Sequence, residues 1–276
     1  MIRRLHCFLI GGLVSGMLTS SHDLSAQSFW NPSHFQKAIS IEGWLPVFQN
    51  RDAEKYYGFL TYVRVRWPLS KTVLFLGELP VMFSAVNYDG PSGTTRQSAM
   101  VLGKPLLGLV LMQTKDFQTT IGVRITDIPK LDRDLLYPSV ITWFDHIGAF
   151  FPGTVAVSAD VVGTTHIRKT GGFYRIYVGS EILFKTKRGA FEGGFDSPFP
   201  ILKYGLQAGY QYGQLGLAAG VSGLLVSRET LVIGWGVGFW INGHQMDMGL
   251  IFRKPLMDWL RNSPRFLLSG YLTMKL

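Results

Sequence analysis

The chain has 276 residues, with 27 Lys+Arg against 18 Asp+Glu for a formal charge of +9, and a single cysteine, Cys7. Charged residues are only 16% and apolar residues 47%, which excludes an intrinsically disordered chain. One cysteine excludes a disulfide scaffold and a Cys-rich zinc site, and 32 glycines without a G-x-y period exclude collagen.

The first 26 residues have three parts. Arg3 and Arg4 are a positive start, Phe8 to Leu18 is a short apolar stretch, and Leu24-Ser25-Ala26 offers a small residue for cleavage. This pattern predicts a secretory signal peptide over residues 1–26, too short for a stop-transfer helix, followed by a barrel domain over 27–276.

No later segment offers the ~20 consecutive apolar residues that a membrane helix needs. Apolar residues instead recur with period two. Phe59, Thr61, Val63, Val65 and Trp67 interleave with Leu60, Tyr62, Arg64 and Arg66. Tyr174, Ile176 and Val178 face away from Arg175, and Trp235, Val237, Phe239 and Ile241 interleave with Gly234, Gly236 and Gly238. Such alternation gives each strand one apolar face and one different face.

About twelve strands are predicted: 37–46, 57–67, 71–83, 98–112, 115–127, 151–163, 172–185, 201–212, 214–226, 230–241, 245–253 and 265–275. Strands of soluble proteins peak near ~5–6 residues, whereas tilted membrane-spanning strands need ~9–11. The connections also alternate. Those at 68–70, 113–114, 164–171, 213 and 242–244 fall on one side, and those at 47–56, 84–97, 128–150, 186–200, 227–229 and 254–264 on the other. The first set is mostly short and the second mostly long, the signature of short periplasmic turns and longer external loops. The fold class expected is therefore all-β: a transmembrane antiparallel β-barrel with one or two short helices in its external loops. Hydrocarbon offers peptide groups no hydrogen bonds, so a spanning sheet must close on itself. Gly205, Gly209, Gly216, Gly220, Gly234, Gly236 and Gly238 fall mostly on the face assigned to the lumen. Trp44, Trp67, Tyr57, Tyr88, Tyr212 and Phe252 lie near strand ends, as an interfacial girdle requires.

Three stretches carry a family resemblance: Tyr62-Val63-Arg64-Val65-Arg66-Trp67-Pro68-Leu69-Ser70, then Gly77-Glu78-Leu79-Pro80-Val81, then Leu102-Gly103-Lys104-Pro105-Leu106-Leu107-Gly108. The chain resembles outer-membrane barrels of the type named for the meta-pathway of phenol degradation, grouped with fatty-acid-transporter-like barrels. Lys104 stands where that family has Asn, and Leu106 where it has Tyr. The resemblance implies uptake of hydrophobic or aromatic compounds across the bacterial outer membrane. The terminal Tyr271-Leu272-Thr273-Met274-Lys275-Leu276 is similar to the strand read by barrel-assembly machinery, ending in Leu where Phe is usual.

The lumen-facing parity gathers Glu42, Arg64, Arg66, Glu78, Lys104, Arg124, Asp160, Arg175, Glu181, Lys203 and Asp247. Charges in a narrow interior require partners or water. Two readings follow: a salt-bridge network that holds the barrel shape, or a charge-lined path that selects solutes. Between Ser139 and Phe151 the pattern turns helical, with Val140, Ile141, Phe144 and Ile147 at helical spacing, as a lid over the external mouth. Lys254 to Asn262 has similar spacing, with Pro255 suited to a first helical position.

A barrel lipid hydrolase needs a Ser and a His on one face, and no His-x-Ser pair occurs. Asp145-His146 has no evident partner serine, and no H-E-x-x-H, Walker loop or strand-coupled G-x-G-x-x-G is present. The expectation is thus a channel or passive transporter for small hydrophobic or amphipathic compounds. It is not an enzyme, and it uses no cofactor and no metal. Its partners are outer-membrane lipid, a small-molecule solute and the assembly machinery, and not nucleic acid, since the basic residues are scattered. The competing expectations are a structural or adhesive barrel with a closed lumen, and a lipid-modifying barrel enzyme.

Overall fold

The computed structural model describes residues 25–28, 31–33, 36–48, 54–90, 93–114, 116–125, 149–150, 153–167, 171–186, 198–226, 230–256 and 264–276. A short antiparallel pair, β1 (Ser25–Ser28) with β2 (Asn31–Ser33), precedes the main sheet. The wall begins with β3 (Ala38–Phe48), β4 (Glu54–Pro68), β5 (Val73–Gly90), β6 (Gly93–Leu102), β7 (Leu106–Thr114) and β8 (Phe117–Arg124). It continues with β9 (Thr154–Ile167), β10 (Gly172–Lys185), β11 (Phe199–Tyr212), β12 (Leu215–Val226), β13 (Thr230–Asn242), β14 (Met246–Pro255) and β15 (Pro264–Lys275).

From β3 to β15 each strand pairs antiparallel with its sequence neighbours, except that β6 and β7 both pair with β5; β15 pairs with β3, and the β4–β5 pairing closes the ring. The sheet counts thirteen strands, but β6 and β7 follow one another along the same edge of β5, so the wall has twelve positions. The phase of the sequence alternation sets the faces. In β3, Ala38, Ser40, Glu42 and Trp44 are buried, while Ile39, Ile41 and Leu45 are exposed. A register slip of one residue would turn Glu42 into lipid, so the two faces hold the pairing in place.

The structure revises several sequence expectations. Residues 84–97 were expected to be loop, yet β5 runs on to Gly90 and β6 starts at Gly93, because the two pair throughout as a long hairpin. The long turn expected at 164–171 shrinks, since β9 extends to Ile167, which pairs with Gly172. The single strand expected over 98–112 is broken at Gly103-Lys104-Pro105. Opposite this break lies Pro80 of β5. Neither proline has an N–H to donate, so the ladder lapses there and resumes on either side. A helix was expected from Lys254, but Lys254 and Pro255 end β14, paired with Trp235 and Gly234. No helix crosses the membrane among the described residues. The lid residues Val140, Ile141, Phe144 and Ile147 lie outside the described residues.

The outer face carries the lipid-facing band. Tyr57 and Trp67 of β4 are both about half exposed, and they bracket this band. They are ten residues apart, which at ~3.3 Å per residue and a tilt of roughly 40° spans about 25 Å, the height of an outer-membrane apolar band. Tyr174, Tyr210 and Tyr212 also face outward, while Trp235, Phe252 and Phe266 form a tilted ring stack with centroids 5.7 and 5.4 Å apart. Two girdle expectations fail. Trp44 is buried in the interior, and Tyr88 packs beside the buried Tyr56 and Val86, because both have inward parity on their strands.

Candidate functional site: the charged interior

Inside the barrel the inward-pointing polar residues of β3, β4, β5 and β8 meet in one chain. Arg64 donates from Nη1 to Glu42 Oε2 at 2.5 Å and from Nε to Glu78 Oε2 at 2.7 Å. Arg124 donates from Nη2 to Glu78 Oε1 at 2.5 Å and from Nη1 to the Lys104 carbonyl at 2.8 Å. All four ionised side chains are buried. Strand register explains the convergence: Arg64 lies directly opposite Glu78, and Glu42 and Glu78 both belong to the inward set. Lys104 sits at the wall break and donates from Nζ to the backbone oxygen of Thr154 and, at 2.6 Å, to its Oγ1.

A second cluster spans β9 to β11. Lys203 Nζ lies 2.9 Å from Asp160 Oδ1 and 3.7 Å from Glu181 Oε2, and the Tyr177 hydroxyl donates to Asp160 Oδ1 at 2.9 Å. Gly179 lies between Asp160 and Lys203 in the ladders, and a Cβ there would collide with the Asp160 carboxylate. Nearer the short turns, Arg175 donates to Gln207 Oε1 at 3.1 Å and Thr164 Oγ1 at 3.3 Å, both directly opposite it in register. Asp247 pairs with Lys275 at 2.7 Å at the end of the barrel where the chain terminates. Arg66 is within coulombic reach of Arg64 and Asp247.

The eleven charged residues singled out from the sequence therefore all have inward parity: five in the belt around Glu78, three in the cluster around Lys203, and Arg175, Asp247 and Arg66 outside these two. Only Asp160 has an appreciably exposed side chain, at 21%. Sequence reasoning missed Arg253, Gln207 and Lys275, which are also inward. Arg253 has the inward parity of Ile251 and is the last residue of the strand expected over 245–253. Its guanidinium carbon lies 4.5 Å from the Trp44 ring centroid. Among the described residues, no group of three or more His, Cys, Asp or Glu is placed to hold a metal.

Aromatic rings fill much of the space that the charges leave. Phe173, Trp240 and Tyr271 belong to one buried cluster, with the Phe173 and Trp240 centroids 6.0 Å apart. Each lies over a glycine: Phe173 over Gly209, Trp240 over Gly216 and Tyr271 over Gly249, where a Cβ would overlap the ring. Gly205, Gly234, Gly236 and Gly238 are likewise buried on inward positions.

A closed antiparallel ring with a greasy exterior and a charged interior is the arrangement that hydrocarbon requires of a spanning sheet. The chain is a β-barrel of the bacterial outer membrane. Solved structures of such barrels share its fold. The crystal structure of an outer membrane channel from Pseudomonas putida F1 superposes with a TM-score of 0.55 at 11% identity, covering 94% of this chain and 100% of that one. The β-domain of the Bordetella autotransporter BrkA gives 0.51 at 10% identity, covering 87% and 99%. No family model matches the chain, and no curated protein matches it by sequence.

Proposed function

We propose that this barrel is a narrow channel or passive transporter for small hydrophobic or amphipathic compounds, with residues 1–26 acting as its export leader. Cleavage after Ala26 falls inside β1, so processing would undo that short pair. The observation that carries the reading is the belt Glu42–Arg64–Glu78–Arg124 inside the wall. Ionised groups cost several kcal/mol each to bury, and an interior meant only as filler is commonly as stable or more so when apolar. A belt of both signs gives instead a polar route in which water and a solute headgroup can replace one ion-pair partner with another. The eleven charged residues line that route, and the fold likeness to an outer membrane channel agrees with it.

A second reading has its own support. The belt side chains are almost inaccessible to water, as in a barrel closed by its own side chains. Liposome swelling separates the two. Folded protein in liposomes is expected to pass benzoate faster than a neutral sugar of similar size. Folded protein that passes neither would overturn the channel reading in favour of the structural one.

A further inference from the structure

Directly on the loop side of the charge belt the interior becomes an apolar chamber filled by its own side chains. Its walls are Trp44, Leu60, Tyr62, Met82, Val101 and Leu267, all inward and nearly inaccessible. These positions are adjacent in register: Trp44 pairs with Leu60, Leu60 with Met82, and Met82 with Val101. The same buried cluster contains Ala149 and Phe150, which belong to the connection between β8 and β9 and not to the wall.

Ala149 and Phe150 are held inside at the wall break. The Lys104 amide donates to the Ala149 carbonyl at 2.7 Å, and the Gly103 amide donates to the Pro80 carbonyl at 2.8 Å. Gly103 is the cradle. A Cβ there would stand 2.6 Å from Phe150 Cε1, 2.9 Å from the Ala149 oxygen and 2.9 Å from Pro80 Cγ. Three residues after Phe150, Gly153 takes φ +62°, a left-handed turn that delivers the chain to the start of β9 at Thr154. A connection with no need to enter the barrel thus places one benzyl ring in an apolar chamber, between the mouth and the charged belt.

We propose that this chamber is a binding seat for a small aromatic solute, and that Phe150 is the chain's own occupant, displaced when solute arrives. The proposal rests on the channel reading for its use, since a seat above the belt is the entry station of that route. The chamber accepts a ring the size of a phenyl group because it already holds one. Its floor is Tyr62, whose ring centroid lies 5.7 Å from the Arg64 guanidinium carbon, so a ring seated there borders the first charge of the belt. Self-occupancy weakens the apparent affinity for solute by the fraction of time that the seat is free.

The test uses the full barrel folded in detergent, with fluorobenzene as the probe and fluorine NMR as the readout, micelle partitioning being common to all samples. F150A removes the occupant and is expected to bind fluorobenzene saturably and about tenfold tighter than the parent. F150L fills less of the seat than Phe and is expected to fall between the two, and it carries the test if F150A fails to show the heat-modifiable gel shift of a folded barrel. F150W refills the seat and is expected to bind no better than the parent. Equal, non-saturable uptake by all four proteins would overturn the seat. Saturable binding to F150A together with no solute flux in liposomes would instead contradict the channel reading and leave the seat standing.

Discussion

At the scale of single residues, the interior is governed by the cost of unpaired charge. Glu78 is the residue on which most depends, because its two oxygens serve Arg64 and Arg124 separately. E78Q leaves two buried guanidiniums facing a neutral amide. Breaking a buried pair by removing one partner costs about 3–5 kcal/mol, so E78Q is expected to lower stability by about 3 kcal/mol or more. Urea unfolding from lipid vesicles, followed by tryptophan fluorescence, measures it. A change under about 0.5 kcal/mol would show the belt to be well hydrated, as for exposed ion pairs. The glycines show the complementary rule. Gly216 and Gly209 matter for the room they leave, since the rings of Trp240 and Phe173 lie where a side chain would stand. Parity could assign these glycines to the inner face, but not the particular ring above each, because that depends on the neighbouring strand's rotamers.

At the scale of elements, each strand is specified by two opposed faces. Val63 of β4 lies between the Tyr57 and Trp67 ends of the outer band and points away from the buried Tyr62 and Arg64. V63R puts a charge near the middle of the lipid face and is expected to cost about 2–4 kcal/mol, the midplane value for Arg on a barrel exterior. The same unfolding assay checks it, and a cost near zero would place Val63 at the interface or out of lipid. Period two made most strands legible in sequence, down to β10, which spans Gly172–Lys185 as the pattern indicated. It failed where polarity ceased to alternate. The β5–β6 hairpin continues through Asp89, Gly93 and Thr94, which read as loop because an arm beyond the lipid need not be apolar outside. The break at Gly103-Lys104-Pro105 was hidden for a different reason. Pro80 is far from Gly103-Lys104-Pro105 in sequence, and only the register of β5 against its partners brings it opposite the break. The inward turn of Ala149-Phe150 was equally invisible, since a short apolar run in a loop has no period to read.

For the whole molecule, the closure of the sheet and the division of its faces are one statement. Twelve wall positions, with β4 against β5 completing the ring, give every wall strand two strand partners except β6, which among the described residues pairs with β5 alone. Everything proposed for the interior follows from that closure: the belt, the filled aromatic layer and the seat for Phe150. The charged residues were legible as a set because inward parity selects them. Their grouping into an Arg64–Glu78–Arg124 chain and an Asp160–Lys203–Glu181 cluster was not, because it requires the stagger between strands that no single strand records.

The division of faces is most directly tested by spin labels placed one at a time from Phe59 to Trp67 in the barrel reconstituted into lipid. Label collision with oxygen, which is concentrated in hydrocarbon, should rise at 59, 61, 63, 65 and 67 and fall at 60, 62, 64 and 66. A flat profile, or high access to a water-soluble nickel reagent at the odd positions, would contradict the barrel.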